Sequence, residues 1–587
     1  MATYSFGKLQ IDPATNPSVL DTGTWDTEKI ASLCKKLPTS FYDEIVQRSN
    51  GRQTDPNPVA QEIACHTSSV SLHGGAVYGM LEFADKQTAF VMIGAEVQDI
   101  LDQAILTTNG PDNKKVVIYP TTARNLHAYT RRINIRKGPK ALGAIPRLGI
   151  GVRHSQTVWP GIMSAMYKGD FSANSIQNSV RELHLLDTLV SGTPSRVNHL
   201  FSFGPVKEGH TGSTFEGLYT QGVLEAIKFP EFLRYGADAD HLQVKRGSEG
   251  IERTKKFIDA ARYYSFYTLD VSDILDYASL TTFSSKQSVE YLESCIPNQA
   301  LRSDVLWYHK KKKSLGKQYL QLDEGQIGRF VGKYWHALDA IEKLYQYIDT
   351  LKDGEAYDLE LSIDENPPHV KTFDTITSPA ELLFLVDEIR RRGLPITHLA
   401  PNFGVEKGVD YRGADGLGLF EQRVGTLHKI ASENNMMLDC HSGDDLSRET
   451  RRLFKRATRG NIHFKISPSL QSLVGEVVEK VEPEFFRFWW KDTLRHTKEL
   501  AQMGVPFAIH SLNLVKWAGE MDKPSSKHLF FKEFCYATLG ERDELGQFVH
   551  RDKFYSFSSD FKTEMDAVME ERILEVAGDL FEPKISL

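Results

Sequence analysis

From about residue 146 the chain repeats one unit, a short apolar strand, a polar turn and an amphipathic helix, and this rhythm constrains the fold more than any other feature. The cleanest unit begins with YDLELSID (357–364) and continues with SPAELLFLVDEIRRRG. There Ser378 reads as a helix N-cap, Pro379 as the first helical residue, Arg390 to Arg392 as the last turn and Gly393 as the stop. Further strands read at LGIGVRH (148–154), at 229–241, at YSFYTLD (264–270), ITHLAP (396–401), MMLDCH (436–441), NIHFKIS (461–467) and VPFAIH (505–510). Strands that alternate with helices imply a parallel sheet with right-handed crossovers. About seven or eight of them favour an α/β fold of the (β/α)8 TIM-like barrel type, residues 146–587, with a helical insertion at about 280–350. No GxGxxG opens a helix after a strand, so a dinucleotide-binding sheet lacks its fingerprint.

Residues 1–145 read differently. VYGMLEF, TAFVMIGAEV and KVVIYP are short strands broken by Asp85-Lys86 and by the Asn109-Gly110-Pro111-Asp112 turn, which predicts an N-terminal α+β cap or oligomerisation region. The 587 residues carry 70 Lys and Arg against 77 Asp and Glu, a net charge of −7 spread along the chain, which argues against a nucleic-acid or anionic-membrane partner. Five scattered cysteines without a CxxC encode neither a disulfide framework nor a cysteine-built zinc site. With no signal-like N-terminus and no apolar stretch of about eighteen residues, the expectation is a cytoplasmic protein. The aromatic run Phe485 to Trp490 fits a helix packed on the barrel or on a second copy, so a homo-oligomer stays open.

In a barrel the carboxyl ends of the strands face the mouth, where catalysis is placed. Period-2 alternation sets Glu360, Ser362 and Asp364 opposite Leu359, Leu361 and Ile363, so the carboxylates point inward, with Glu365 at the strand end. Three later strands end in His441, His463 and His510, and Asp444 follows the first of them. Two earlier strands end in Asp238, Asp240, His241 and in Asp270. Imidazoles with one carboxylate suit Zn²⁺, Mn²⁺, Fe²⁺ or Ni²⁺ and leave coordination positions for substrate oxygens. Lys465, two residues after His463, points the same way and offers a charge for a substrate carboxylate or an acid–base group.

These strand ends, ELSIDE (360–365), LDCHSGDD (438–445), IHFKIS (462–467), GADADH (236–241) and YTLDVSD (267–273), together resemble the tagaturonate epimerase family. ALGAIPRLGIGVRHS (141–155) is similar to that family's barrel start and VEKGVDYRG (405–413) to a loop it carries. The resemblance spans roughly 117–515 and implies a divalent-metal enzyme that inverts a carbinol carbon of a ketohexuronate or related ketohexose, its partner being a small sugar or sugar acid. It implies metal ligation by Glu365 or Asp364 with His441 and His463, His510 being a third histidine or a supporting group. Asp238, Asp240 and Asp270 with Lys465 are then the acid–base candidates, and Arg153, His154, His241, Asp364 and Asp444 the substrate contacts. Two departures concern the sugar: Val152-Arg153-His154 stands where the family places an acid after its glycines, and Ile466-Ser467-Pro468 replaces a small threonine- and glycine-containing turn. Competing readings are a metal-dependent ketose 3-epimerase or sugar isomerase, an amidohydrolase, for which only His154 of the usual HxH is present, and a non-catalytic carbohydrate-binding barrel.

Overall fold

The computed structural model describes residues 2–581 apart from 50–56, 61, 152, 201–203, 316–317, 366–369, 407–408, 442 and 444. Eight parallel strands close into a barrel in chain order: β1 (Arg147–Ile150), β2 (Ser172–Ser179), β3 (Tyr235–Gln243), β4 (Phe266–Asp270), β5 (Asp358–Ser362), β6 (His398–Ala400), β7 (Met437–Cys440) and β8 (His463–Ile466). β8 returns to β1, pairing His463 with Arg147 and Lys465 with Gly149.

Two of the eight strands differ from expectation. VPFAIH is no strand: Gly504, at φ 83°, breaks the preceding helix, and Pro506 opens the helix Pro506–Trp517. The missing strand is β2, whose sequence SANSIQNS has no apolar run to mark it. It is nevertheless buried along almost its whole length, because its inward side chains line the polar interior and Ala173 and Ile176 serve the core.

The helix that follows β4 is Glu324–Lys352, held by a capping box between Asp323 and Gln326. It packs beside the helices Gly247–Ala260 and Pro379–Arg391, so the last part of the 280–350 segment belongs to the barrel's own helical ring. The true excursion comprises Ser285–Cys295, Gln299–His309 and a two-stranded ribbon, Lys313–Leu315 with Gln318–Leu320.

Residues 59–120 form a six-stranded antiparallel sheet. One face, with Val91, Ile93, Val116 and Ile118, is covered by the helices Thr27–Cys34 and Thr39–Ser49 through Ile30, Phe41 and Ile45. The other, with Tyr78, Met80, Phe90, Met92 and Tyr119, merges into the core cluster that also holds the barrel residues Leu148, Ile176 and Leu361. Alternation along each strand feeds both faces, so the sheet is a wall of the same body. Among the described residues no helix is long and apolar enough to cross a membrane.

Candidate active site at the barrel mouth

Alternation along the strands sends one set of side chains into the barrel and the other into the helical ring. The inward set is almost wholly polar and is stacked in layers. At the floor Arg147 Nη1 donates to Asp358 Oδ2 at 3.0 Å, and Asp358 also accepts from the backbone N–H groups of Leu142 and Gly143. Phe266 and His398 lie above this pair, ring to ring at 4.8 Å, and His463 meets both rings at 5.4 Å.

Higher up, Lys465 is surrounded. Its Nζ donates to Asp240 Oδ1 (2.8 Å), Thr268 Oγ1 (3.0 Å) and Glu360 Oε1 (3.2 Å), and lies 3.5 Å from both Asp238 and Asp439. Gly149 makes this convergence possible: a β-carbon there would stand 2.7 Å from Lys465 Cγ, 2.9 Å from His463 Nε2 and 2.6 Å from Gln177 Oε1. Burial works against the ammonium, yet Asp238, Asp240, Glu360 and Asp439 hold its pKa well above the usual value. Burial and the neighbouring Asp439 push Glu360 up to about 8, and burial pushes Asp238 up to about 6. Asp240 is also opposed by burial, but His241 and Lys465 lower its pKa and keep it ionised.

His441 caps this set, with Nε2 2.8 Å from Glu360 Oε1 and Nδ1 3.1 Å from Asp364 Oδ1. Burial disfavours its charged form, and Asp364, Glu360 and Asp439 outweigh that to raise its pKa. Beside it His241 places Nδ1 3.2 Å from Asp270 Oδ2, with Nε2 3.9 Å from Asp240 and 4.0 Å from Glu365. The His241 and His441 rings meet edge to face at 4.7 Å. Glu365 in turn is paired with Arg181, which follows β2.

Two groups have metal-ligand spacing here, Glu360–Asp439–His441 and His241–Asp270–Glu365, the candidate ligand atoms of each lying within 4.8 Å of one another. The ligand set expected from sequence is thus redistributed. His441 keeps company with Glu360 and Asp439, while Glu365 belongs to the second group. His463 lies one layer lower, fully buried, with Nδ1 2.9 Å from Asp439 Oδ2. His510 is on the exposed side of the helix Pro506–Trp517 and takes no part in either group, because the strand that would have aimed it inward does not exist.

Asp238, Asp240, His241, Asp270, Asp364 and Lys465 converge at the mouth. Arg153 and His154 instead face a neighbouring packed cluster. Arg153 Nε donates to Glu182 and its guanidinium lies over Tyr536, while His154 is packed between Trp489 and Phe554. Asp444 is outside the described residues. Sequence reasoning missed Asp439, although it lies two residues before His441 and shares its face, and it missed Gln177 and Arg181 because β2 was not recognised.

A family model described as tagaturonate epimerase matches residues 228–576. A tagaturonate/fructuronate epimerase from Thermotoga maritima is 31% identical over 288 residues, 48% of this chain and 53% of that protein. The chain therefore spans about half the length of the curated relative it matches. Solved structures of a fructuronate-tagaturonate epimerase from Cohnella laeviribosi, native and with glycerol, share the fold with a TM-score of 0.63 at 20% identity, over 92% of this chain and 99% of theirs. The family model covers more than half of the sequence, from before β3 to the last long helix, and on that ground the chain belongs to the tagaturonate epimerase family.

Proposed function

We propose that this protein interconverts ketohexuronates of the tagaturonate/fructuronate kind by inverting C4, with a divalent metal cation of the Zn, Mn, Ni or Fe type at the mouth. The observation that carries the reading is the ammonium of Lys465 held among Asp238, Asp240, Glu360 and Asp439 directly beside His441 and His241. C4 is β to the C2 ketone, so its hydrogen is not acidified and deprotonation at carbon does not invert it. Cleavage and re-formation of C3–C4 does.

In that route the C4 hydroxyl loses its proton, C4 becomes an aldehyde, and the C3–C4 electron pair becomes an enediolate over C2 and C3. The aldehyde then turns its other face to C3, the bond re-forms, and the C4 oxygen regains a proton. Asp240 is held ionised and Asp270 orients His241, so Asp240, His241 and Asp270 supply the acceptor for the hydroxyl proton. Lys465 places a fixed positive charge beside the oxygens that become negative. The same acceptor returns that proton when the bond re-forms.

The donor set fits a divalent cation. Asp439 Oδ1 and His463 Nε2 are buried without a hydrogen-bond partner, and Glu360, Asp439 and His441 offer an oxygen–oxygen–nitrogen group at ligand spacing. Glu360, Asp439 and His441, with His463 beside Asp439, would hold such a cation, which would supply Lewis-acid polarisation of the sugar oxygens.

The test is conversion of tagaturonate in D₂O with metal analysis of the wild type and of the His441→Ala and His463→Ala variants. Retention of the C4 hydrogen and about one bound divalent ion, diminished in both variants, are expected. Full exchange at C4 overturns bond cleavage, exchange at C3 points to a 3-epimerase, and a metal-free active protein removes the cation.

A further inference from the structure

A sugar acid brings a carboxylate into a pocket already crowded with carboxylates, so a cation at the mouth whose present partner can be exchanged has to receive it. Lys465 is not that cation. An ammonium has three N–H donors, and those of Lys465 are spent on Asp240, Thr268 and Glu360. Arg153, the other cation expected to serve, faces the neighbouring packed cluster instead of the mouth, donating to Glu182 and stacked over Tyr536.

Arg181 stands at the mouth itself, on the turn after β2, and presents its fork to a carboxylate in the position a ligand would take. Nη2 and Nη1 both reach Glu365, the latter at 3.5 Å. With its oxygen turned inward, the Gln243 amide accepts from Arg181 Nη2 and Nε at 3.2 Å, which fixes the plane of the guanidinium from the other side. Both partners of the pair are largely shielded, with side-chain exposures of 17% and 19%. The Glu365 carboxylate lies 4.0 Å from His241 Nε2, within the group that His241 and Asp270 complete.

We propose that Arg181 is the carboxylate-binding residue for the sugar acid, and that Glu365 occupies its fork until substrate replaces it. The exchange swaps one planar carboxylate for another, the geometry that guanidinium recognises in bidentate fashion. It also releases Glu365 toward His241 and Asp270, so that arrival of the correct substrate completes the mouth. A neutral ketose has nothing to exchange and leaves Glu365 where it is. This inference deepens the proposed function and rests on its placement of the sugar at the mouth.

The experiment uses gluconate, an open-chain six-carbon acid, and its neutral counterpart sorbitol, both titrated calorimetrically into the enzyme as purified, so that no turnover is needed. The wild type is expected to bind gluconate more tightly than sorbitol. Arg181→Gln weakens gluconate by about 10- to 100-fold, the usual loss for a charged hydrogen-bonding pair, and leaves sorbitol within about 3-fold. Arg181→Lys falls between them, because it keeps the charge and loses the fork. Glu365→Gln acts in the opposite direction: with the internal competitor neutralised, gluconate tightens about 3- to 10-fold. This variant decides the matter if Arg181→Gln does not fold. A wild type without preference for the acid, an undiminished preference in Arg181→Gln, or unchanged or weaker gluconate binding in Glu365→Gln overturns the inference. A preference that depends on Arg181 in a protein that does not epimerise tagaturonate overturns the proposed function and leaves the carboxylate site standing.

Discussion

At the floor of the barrel Arg147 and Asp358 form a closed ion pair, whereas two residues further along β5 and β8 the Lys465 ammonium stands among four carboxylates. Both assemblies are buried, and both join basic to acidic side chains. The floor pair is satisfied: the Arg147 guanidinium also donates to Asn174 Oδ1 and to the carbonyls of Gly143 and Ile145, and Asp358 collects backbone N–H groups. The mouth is overfilled with negative charge, with Asp238 Oδ2 and Asp439 Oδ1 left without hydrogen-bond partners. A buried pair whose atoms are engaged resists removal of either member, while a buried group left short of partners costs stability and marks a place where a ligand completes the set. The contrast teaches that one fold holds its shape with the first layer and keeps the second in readiness.

Substitutions that separate the two layers test this directly. Glu360→Gln and Asp439→Asn are expected to lower the proposed epimerase turnover by about 10²- to 10⁴-fold, the range for losing an acid–base group or its support. In the chelated protein their melting temperatures should stay level or rise, since each amide replaces a carboxyl in a site short of partners. Steady-state kinetics beside thermal unfolding read both, and a large fall in melting temperature would make the mouth a structural layer like the floor. Arg147→Met should do the reverse, costing about 3–5 kcal/mol of stability by leaving Asp358 uncompensated. Urea unfolding measures that loss, and a variant as stable as the wild type would end the distinction.

Chelation gives a smaller effect with the same logic. Removal of the proposed cation, from a free concentration a hundredfold above its dissociation constant, is expected to withdraw about 2.7 kcal/mol, seen as a lower melting temperature that Mn²⁺, Zn²⁺ or Ni²⁺ restores. The shift should vanish in Glu360→Gln and persist in a floor variant that still folds.

The smallest expected effect is a pH dependence of the floor. Burial, then Arg147, holds His398 well below the usual imidazole pKa. The unfolded chain therefore takes up a proton below about pH 6.5 that the folded chain refuses, so this stability is present above that pH and is lost as pH falls toward the folded value. In a His398→Gln variant the slope of stability against pH below about 6.5 should be shallower by at most about 1.4 kcal/mol per pH unit. Melting curves between those pH values check it, and an unchanged slope assigns the acid sensitivity elsewhere.

Much of this was legible from residue types and spacing. The strands β5, β7 and β8 each carry an apolar set for the helical ring and a polar set for the interior, so their alternation located Glu360, Asp364, His441, His463 and Lys465 inside the barrel. β2 escaped because a strand whose inward side chains serve a polar site, with a register irregularity between Asn174 and Ile176, has no period-2 hydrophobic signal to read. VPFAIH misled for the complementary reason, since a short apolar run ending in histidine reads alike as a strand or as the first turns of a helix, and Gly504-Val505-Pro506 was the signal that separated them. The helix Glu324–Lys352 read as part of an insertion because its role depends on which helices it packs beside.

The chain's own pattern of alternating elements determined the barrel, the inward polar faces and the identity of most charged groups at the mouth, because each depends on side chains a few residues apart. Which histidine meets which carboxylate, and that Arg181 rather than Arg153 faces the mouth, were decided by closure of the barrel. Closure brings β8 back against β1 and sets residues hundreds of positions apart within hydrogen-bond reach, as with Lys465 and Asp240. No local spacing encodes those contacts, since they follow from strand register and from the room left at Gly149.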